Sequence, residues 1–231
     1  MEISSVTVLW YVAFVASTTV HEAAHALAAY VGGDPTAYRA GQVSLSPVPH
    51  MKREPFGMIL LPIFSAISYG WALGFASTPY DPHWEARYPR RAAWMAAAGP
   101  AANLLLAAIS LALLRVGLEG GVFYAPDSVS LSRLVAGAGA LTDSVGVFLS
   151  ILLVLNVLLF LFNLIPFPPL DGATAITLLL PDDLALRFRE TVRTGGIAVV
   201  GLLGAWLLFG QIVGGVFARL VVLVHPDLRY W

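Results

Sequence analysis

Apolar residues in this chain come in long blocks rather than in stripes. Five windows run almost free of charge, at 6–30, 56–76, 92–114, 144–165 and 195–218. Each has about the 20 residues that a helix needs to cross the hydrocarbon layer of a membrane. Between them the polar stretches reach only about 30 residues, too short for an independent soluble core. The pattern predicts an all-α polytopic membrane protein forming one domain over 1–231, with about five to six membrane segments. The first window lacks a basic leader and its apolar stretch is too long for a cleavable signal, so it is expected to stay as a membrane helix.

The short connections read differently from the windows. Gly32-Gly33-Asp34-Pro35 ends the first helix. Residues 36–50 then read differently: Ala40-Gly41-Gln42-Val43-Ser44-Leu45-Ser46-Pro47 alternates small or polar with apolar, which predicts a short β-hairpin or edge strand carrying Val43 and Leu45. The loop at 77–91 holds Pro79, Pro82 and Pro89, with Tyr80, Trp84 and Tyr88 as interfacial anchors. Arg187, Arg189 and Arg193 read as a solvated face, and the chain ends in a polar, aromatic tail. His50, His83 and His225 each lie near a proline in a loop and are expected to be solvated or capping residues.

Composition agrees with the pattern. The chain is 58% hydrophobic and 12% charged, where a soluble domain carries about 25% charged residues. Its mean hydropathy is +0.78. A net charge of −1 gives no footprint for nucleic acid. With no cysteine there are no disulfides and no thiolate metal ligands.

Ionisable side chains inside a membrane window are costly and usually functional. The first window holds three, in His21-Glu22-Ala23-Ala24-His25. Four residues on a helix turn through about 400°, so both imidazoles share one face about one turn apart. That spacing suits two nitrogens on one zinc ion, with Glu22 beside them to take a proton from water. A third ligand is needed. Asn163-Leu164-Ile165-Pro166-Phe167-Pro168-Pro169-Leu170-Asp171-Gly172 supplies a carboxylate after a run of prolines that cannot continue a helix. Asp171 is read as the ligand, with an N-cap of a helix restarting near Ala173 as the other possibility. Opened backbone at membrane depth is tolerated only against protein or a water-filled cavity.

Together the two motifs resemble the site-2 protease family of intramembrane metalloproteases, in its compact form without a PDZ domain. A third feature of that family, Ala98-Gly99-Pro100-Ala101-Ala102-Asn103, is also present. The resemblance covers residues 6 to about 193. It implies one Zn2+ per chain held by His21, His25 and Asp171, and Glu22 as the catalytic base. It implies Asn163 at the substrate backbone or the developing oxyanion, and Val43 and Leu45 on a strand that pairs with unwound substrate. Asn103 is taken either as a further substrate contact or as a structural amide. The implied partners are a membrane-protein substrate and the lipid bilayer, in a multi-pass protein of a prokaryotic plasma membrane. The alternatives are a catalytically silent zinc-binding scaffold and a metal-ion carrier. The carrier would need a continuous acidic or His-lined path, which the sequence lacks.

The spacing of the motifs carries a conflict of depth. The paired histidines lie late in their helix, and Asp171 lies past the end of its window. If 56–76 crossed fully, the two motifs would finish on opposite sides. Pro62, Gly70 and Gly74 permit a broken path, so 56–76 is predicted to be a re-entrant hairpin.

Overall fold

The computed structural model describes residues 4–227 and Tyr230, apart from 182, 186 and 189–196. Arg189 and Arg193, the first residues of the last apolar window and part of the C-terminal tail therefore lie outside the described residues. Among the described residues, four long helices carry the fold: α1 (Ser5–Val31), α6 (Pro89–Glu119), α7 (Ala140–Asn163) and α9 (Ile197–Val224). Short helices fill the connections: α2 (Thr36–Arg39), α3 (Pro47–Arg53), α4 (Leu61–Tyr69), α5 (Pro82–Arg87) and α8 (Asp171–Ala175). A π-helical turn over Phe56–Leu60 leads into α4, and a 3₁₀ turn over Ile176–Leu179 follows α8.

α1, α6 and α7 pack on one another as a three-helix core. The helices approach closely because their contacting faces are small. Ala13, Ala26 and Ala29 of α1 and Ala92, Ala93, Ala96, Gly99 and Ala107 of α6 are buried, the composition by which membrane helices associate. Trp10 and Phe14 pack with Val147, Ile151 and Leu155 of α7. α9 lies against α7 and α6 through Leu220, Val221 and Val224. Its Ala205 and Phe209 cover Ile165 and Leu170 beyond the end of α7.

Among the described residues, three helices are long and apolar enough to cross a membrane: Pro89–Glu119, Ala140–Asn163 and Val200–Val224. They match the third, fourth and fifth windows, and they make the chain a membrane protein. α1 has 27 residues, about 40 Å at 1.5 Å per residue. Its apolar run is broken by the buried polar side chains Ser17, Thr18, Thr19, His21, Glu22 and His25. The second window forms no long helix. Phe56–Tyr69 would span about 21 Å, short of the roughly 30 Å hydrocarbon layer. It stops at Gly70, whose φ of 80° is left-handed. The chain then runs back along its own helix. Leu73 N–H donates to Ser65 Oγ at 2.7 Å, and Phe75 N–H donates to the Gly57 carbonyl at 3.1 Å. A Cβ on Gly57 would collide with the Phe75 carbonyl, and one on Gly74 with Gly57 and Phe14. These glycines are what allow the return.

Residues 40–46 correct the expected strand. Gly41, at φ 73°, turns the chain out of α2, and Ser46 caps α3 by accepting from the Val48 N–H. Val43 and Leu45 sit in the bend between two short helices. Burial there does not follow the alternation, since the polar Gln42 is buried and the apolar Leu45 is exposed. Among the described residues the only paired strands lie elsewhere, in the connection from α6 to α7. There β1 (Phe123–Tyr124) and β2 (Ala136–Gly137) run antiparallel, Phe123 opposite Gly137. That connection is a folded cap. Arg133 and Asp143 pair through two bonds of 2.7 and 2.8 Å.

Three further expectations change. His50 and His225 are buried, each ring bonding a backbone carbonyl through Nε2, of Ser44 and Leu134 respectively. Trp84 is buried rather than interfacial, with Nε1–H donating to the Gly32 carbonyl at 3.0 Å. His83 is exposed, as expected.

Candidate metal centre

α1 presents His21 and His25 on the face that meets α6. Each ring is oriented through Nδ1. The Met95 carbonyl accepts from His25 Nδ1 at 2.7 Å, and Asn103 Oδ1 lies 2.5 Å from His21 Nδ1. Both Nε2 atoms therefore point inward, 2.9 Å apart. Such outward bonds to a carbonyl or amide are how metal-binding imidazoles are held in the ligating tautomer.

Asp171 arrives from the other side. α7 ends at Asn163, and the proline-rich stretch turns tightly, with Phe167 N–H bonded to the Ile165 carbonyl and Leu170 N–H to the Phe167 carbonyl. A Cβ on Gly172 would collide with the Leu164 and Ile165 carbonyls, so glycine is needed for α8 to begin against the end of α7. Asp171 is the first residue of α8, and its carboxylate makes no cap. Its Oδ2 lies 3.1 Å from His21 Nε2 and 3.2 Å from His25 Nε2.

Three donors thus converge on one point, each within 3.2 Å of the others. Around a tetrahedral zinc at about 2.0–2.1 Å, donors stand roughly 3.3–3.4 Å apart. A few tenths of an ångström separate the two arrangements. The chemistry fits as well, because two imidazole lone pairs and a carboxylate turned toward each other repel unless a cation lies between them. α6 closes the site. Gly99 lies against both rings, and a Cβ there would collide with both Nε2 atoms. Pro100 follows inside the helix.

Glu22 is also buried. Its Oε2 meets the limb that returns from Gly70, where Thr78 Oγ1 lies 2.7 Å from Oε2 and 3.0 Å from the Glu22 carbonyl. Thr78 carries no motif, so nothing in the sequence marked it. Neighbouring side chains fasten the same limb. Ser77 Oγ donates to Glu54 Oε1 at 2.5 Å, and Asp34 Oδ2 accepts from the Asp81 N–H at 2.8 Å. Burial works against the Asp34 charge, but donors from Thr36 and Asp81 hold its carboxyl below the usual range. This latch therefore stays charged through neutral pH and loosens only in acid. Thr78→Val should lower kcat about tenfold, the worth of one hydrogen bond to a charged group. Zinc content should stay unchanged, and Thr78→Ser should recover most of the rate.

The other expected residues fall in different places. Asn103 is fully buried, and its amide is used by His21 and by Asn156, at 2.5 and 2.8 Å. Both ends of this amide are thus engaged within the bundle, one of them by His21. Asn163 donates back to the Leu159 carbonyl at 3.0 Å. Leu45 is exposed.

The model of Peptidase family M50 matches residues 9–203. The chain belongs to this family. The matched region of the M50 chain contains all three donors, Glu22, Gly99 and Asn103. The M50 chain is also 32% identical over 208 residues to "Putative zinc metalloprotease YwhC" of Bacillus subtilis (strain 168). That alignment covers 88% of the M50 chain and 85% of the relative. No solved structure matches the M50 chain. Membership of a peptidase family, with a donor set of this kind, supports a metalloprotease role.

Proposed function

We propose that this protein is an intramembrane zinc metalloprotease of the site-2 type, which hydrolyses peptide bonds in or near transmembrane segments of membrane-anchored proteins. The observation that carries this reading is the convergence of His21, His25 and Asp171, with Glu22 beside them, among helices apolar enough to cross a membrane. The name of the Bacillus relative supports zinc as the ion.

His21 Nε2, His25 Nε2 and Asp171 Oδ2 would hold the zinc. When bound, zinc supplies Lewis acidity, which polarises a carbonyl and lowers the pKa of water toward about 7. The remaining work falls to the chain's own side chains. Thr78 engages Glu22 Oε2, so Oε1 is the oxygen that takes the proton from the attacking water. The same carboxyl then returns it to the leaving amine. Gly99 keeps the face of α6 clear beside the rings. Asp171 has 23% of its side chain exposed, against 8% and 6% for the histidines, so water and substrate enter from its side.

A closed helix hides its amides, so a transmembrane substrate has to unwind locally before it can be cut. The 56–76 segment is re-entrant in this reading. Its helix is too short to cross, and its return limb brings Thr78 to Glu22. Asn163, Val43 and Leu45 are the further groups this reading assigns to substrate. The protein lies across the plasma membrane of a prokaryote in several passes.

The test is cleavage of a membrane-anchored model substrate by the purified chain in lipid vesicles. Cleavage should stop with a zinc chelator and return on adding zinc. Chelator-resistant cleavage, or zinc-loaded protein that cuts nothing, would count against the proposal.

A further inference from the structure

The two histidines reach the same orientation by different routes. For His25 the route is one step, because the Met95 carbonyl can only accept, so Nδ1 must carry the hydrogen and Nε2 the lone pair. For His21 the neighbour is an amide, which can present either end. An amide alone would leave the tautomer of His21 open.

We propose that Asn156, on α7, is a positioning residue that fixes the tautomer of His21 through Asn103. This rests on the metal-centre reading above. The direction of each bond follows from one backbone group. Asn156 Nδ2 lies 2.8 Å from the Leu152 carbonyl, one turn back on α7, and 2.8 Å from Ser17 Oγ on α1. A backbone carbonyl only accepts, so this end of Asn156 must be the NH₂ and the other end the oxygen. Asn156 Oδ1 lies 2.8 Å from Asn103 Nδ2 on α6 and can only accept, so Asn103 must turn its NH₂ to α7. Asn103 Oδ1 is then the atom facing His21 Nδ1 at 2.5 Å, and it too can only accept. His21 must therefore carry its hydrogen on Nδ1 and offer the Nε2 lone pair to the metal.

Ser17, Asn103 and Asn156 are all fully buried, so no water competes for these groups. Each histidine is thus tied to a backbone carbonyl of another helix, His25 directly and His21 across two amides. The relay also joins α1, α6 and α7 at one depth, which no apolar contact would do with direction.

The test uses the full-length protein in detergent micelles and compares Asn156→Leu with Asn156→Asp. Leu removes the acceptor that orients Asn103. Asp keeps an oxygen for the Asn103 NH₂ in either protonation state. ¹⁵N NMR of the zinc-free wild type should show His21 protonated at Nδ1, and a chelator competition should measure its zinc affinity. Asn156→Leu should mix the His21 tautomers and weaken zinc binding about tenfold, the low end for losing a group that orients a ligand. Asn156→Asp should stay close to wild type in both. A role in packing alone gives the opposite order, since a buried acid disturbs a core more than leucine does.

Wild-type His21 protonated at Nε2, or zinc affinity in Asn156→Leu equal to wild type, would overturn the relay. The wild-type spectrum decides even if the leucine variant fails to fold. Failure of the wild type to bind zinc at all would instead strike the metal-centre reading and leave the tautomer result standing.

Discussion

Glu22→Gln should abolish peptide hydrolysis and leave zinc binding intact. Gln has the size of Glu and can still accept from Thr78 through its carbonyl oxygen, so the fold around the site keeps its contacts. What it loses is the ability to take a proton. A positioned general base contributes about 10²–10⁴-fold, and Glu22 is asked to act twice, as base and then as acid. The expected fall in kcat is therefore at the top of that range or beyond. Cleavage rate and zinc per chain are measured on the same preparation. A variant that still cleaves within tenfold of wild type removes Glu22 from the proton-transfer role.

Gly99→Ala should destroy metal binding although Gly99 is no ligand. The added methyl would overlap both imidazole Nε2 atoms. Neither ring can retreat without breaking its Nδ1 bond to Met95 or Asn103. Zinc affinity should fall by more than about a hundredfold, the upper range for disturbing the shell around a ligand, and activity should fall with it. Gly210→Ala is the control. It lies on α9, where a Cβ meets nothing within 4 Å, so zinc and activity should be unchanged. Equal zinc binding in Gly99→Ala and wild type would mean that α6 does not close on the rings as described.

The parts of this site that were legible in the sequence are those whose chemistry is local. His21, Glu22 and His25 show themselves through helical spacing inside an apolar window. Asp171 shows itself as an acid after prolines that stop a helix. The conflict over depth points to a break in 56–76, and the helix there does end at Gly70. What could not be read depends on contacts distant in sequence. Thr78 is 56 positions from Glu22, and Asn156 is 53 from Asn103. Neither lies in a pattern that a single chain reveals. Residues 40–46 misled because alternation of small and apolar residues has no unique meaning. Gly41 and the Ser46 cap outweigh it and turn the segment into a bend between helices. His50 and His225 misled because a proline nearby suggests a loop, whereas His50 lies within α3, His225 follows α9 directly, and both side chains are buried.

Zinc per chain, in wild type and in Asp171→Ala, is the most direct measurement of the whole account. One ion has to draw the end of α1 and the start of α8 together across 146 residues of chain. Wild type should bind one zinc, and the alanine variant should lose it under the same chelator. If both hold equal zinc, Asp171 is no ligand and the centre described here does not exist.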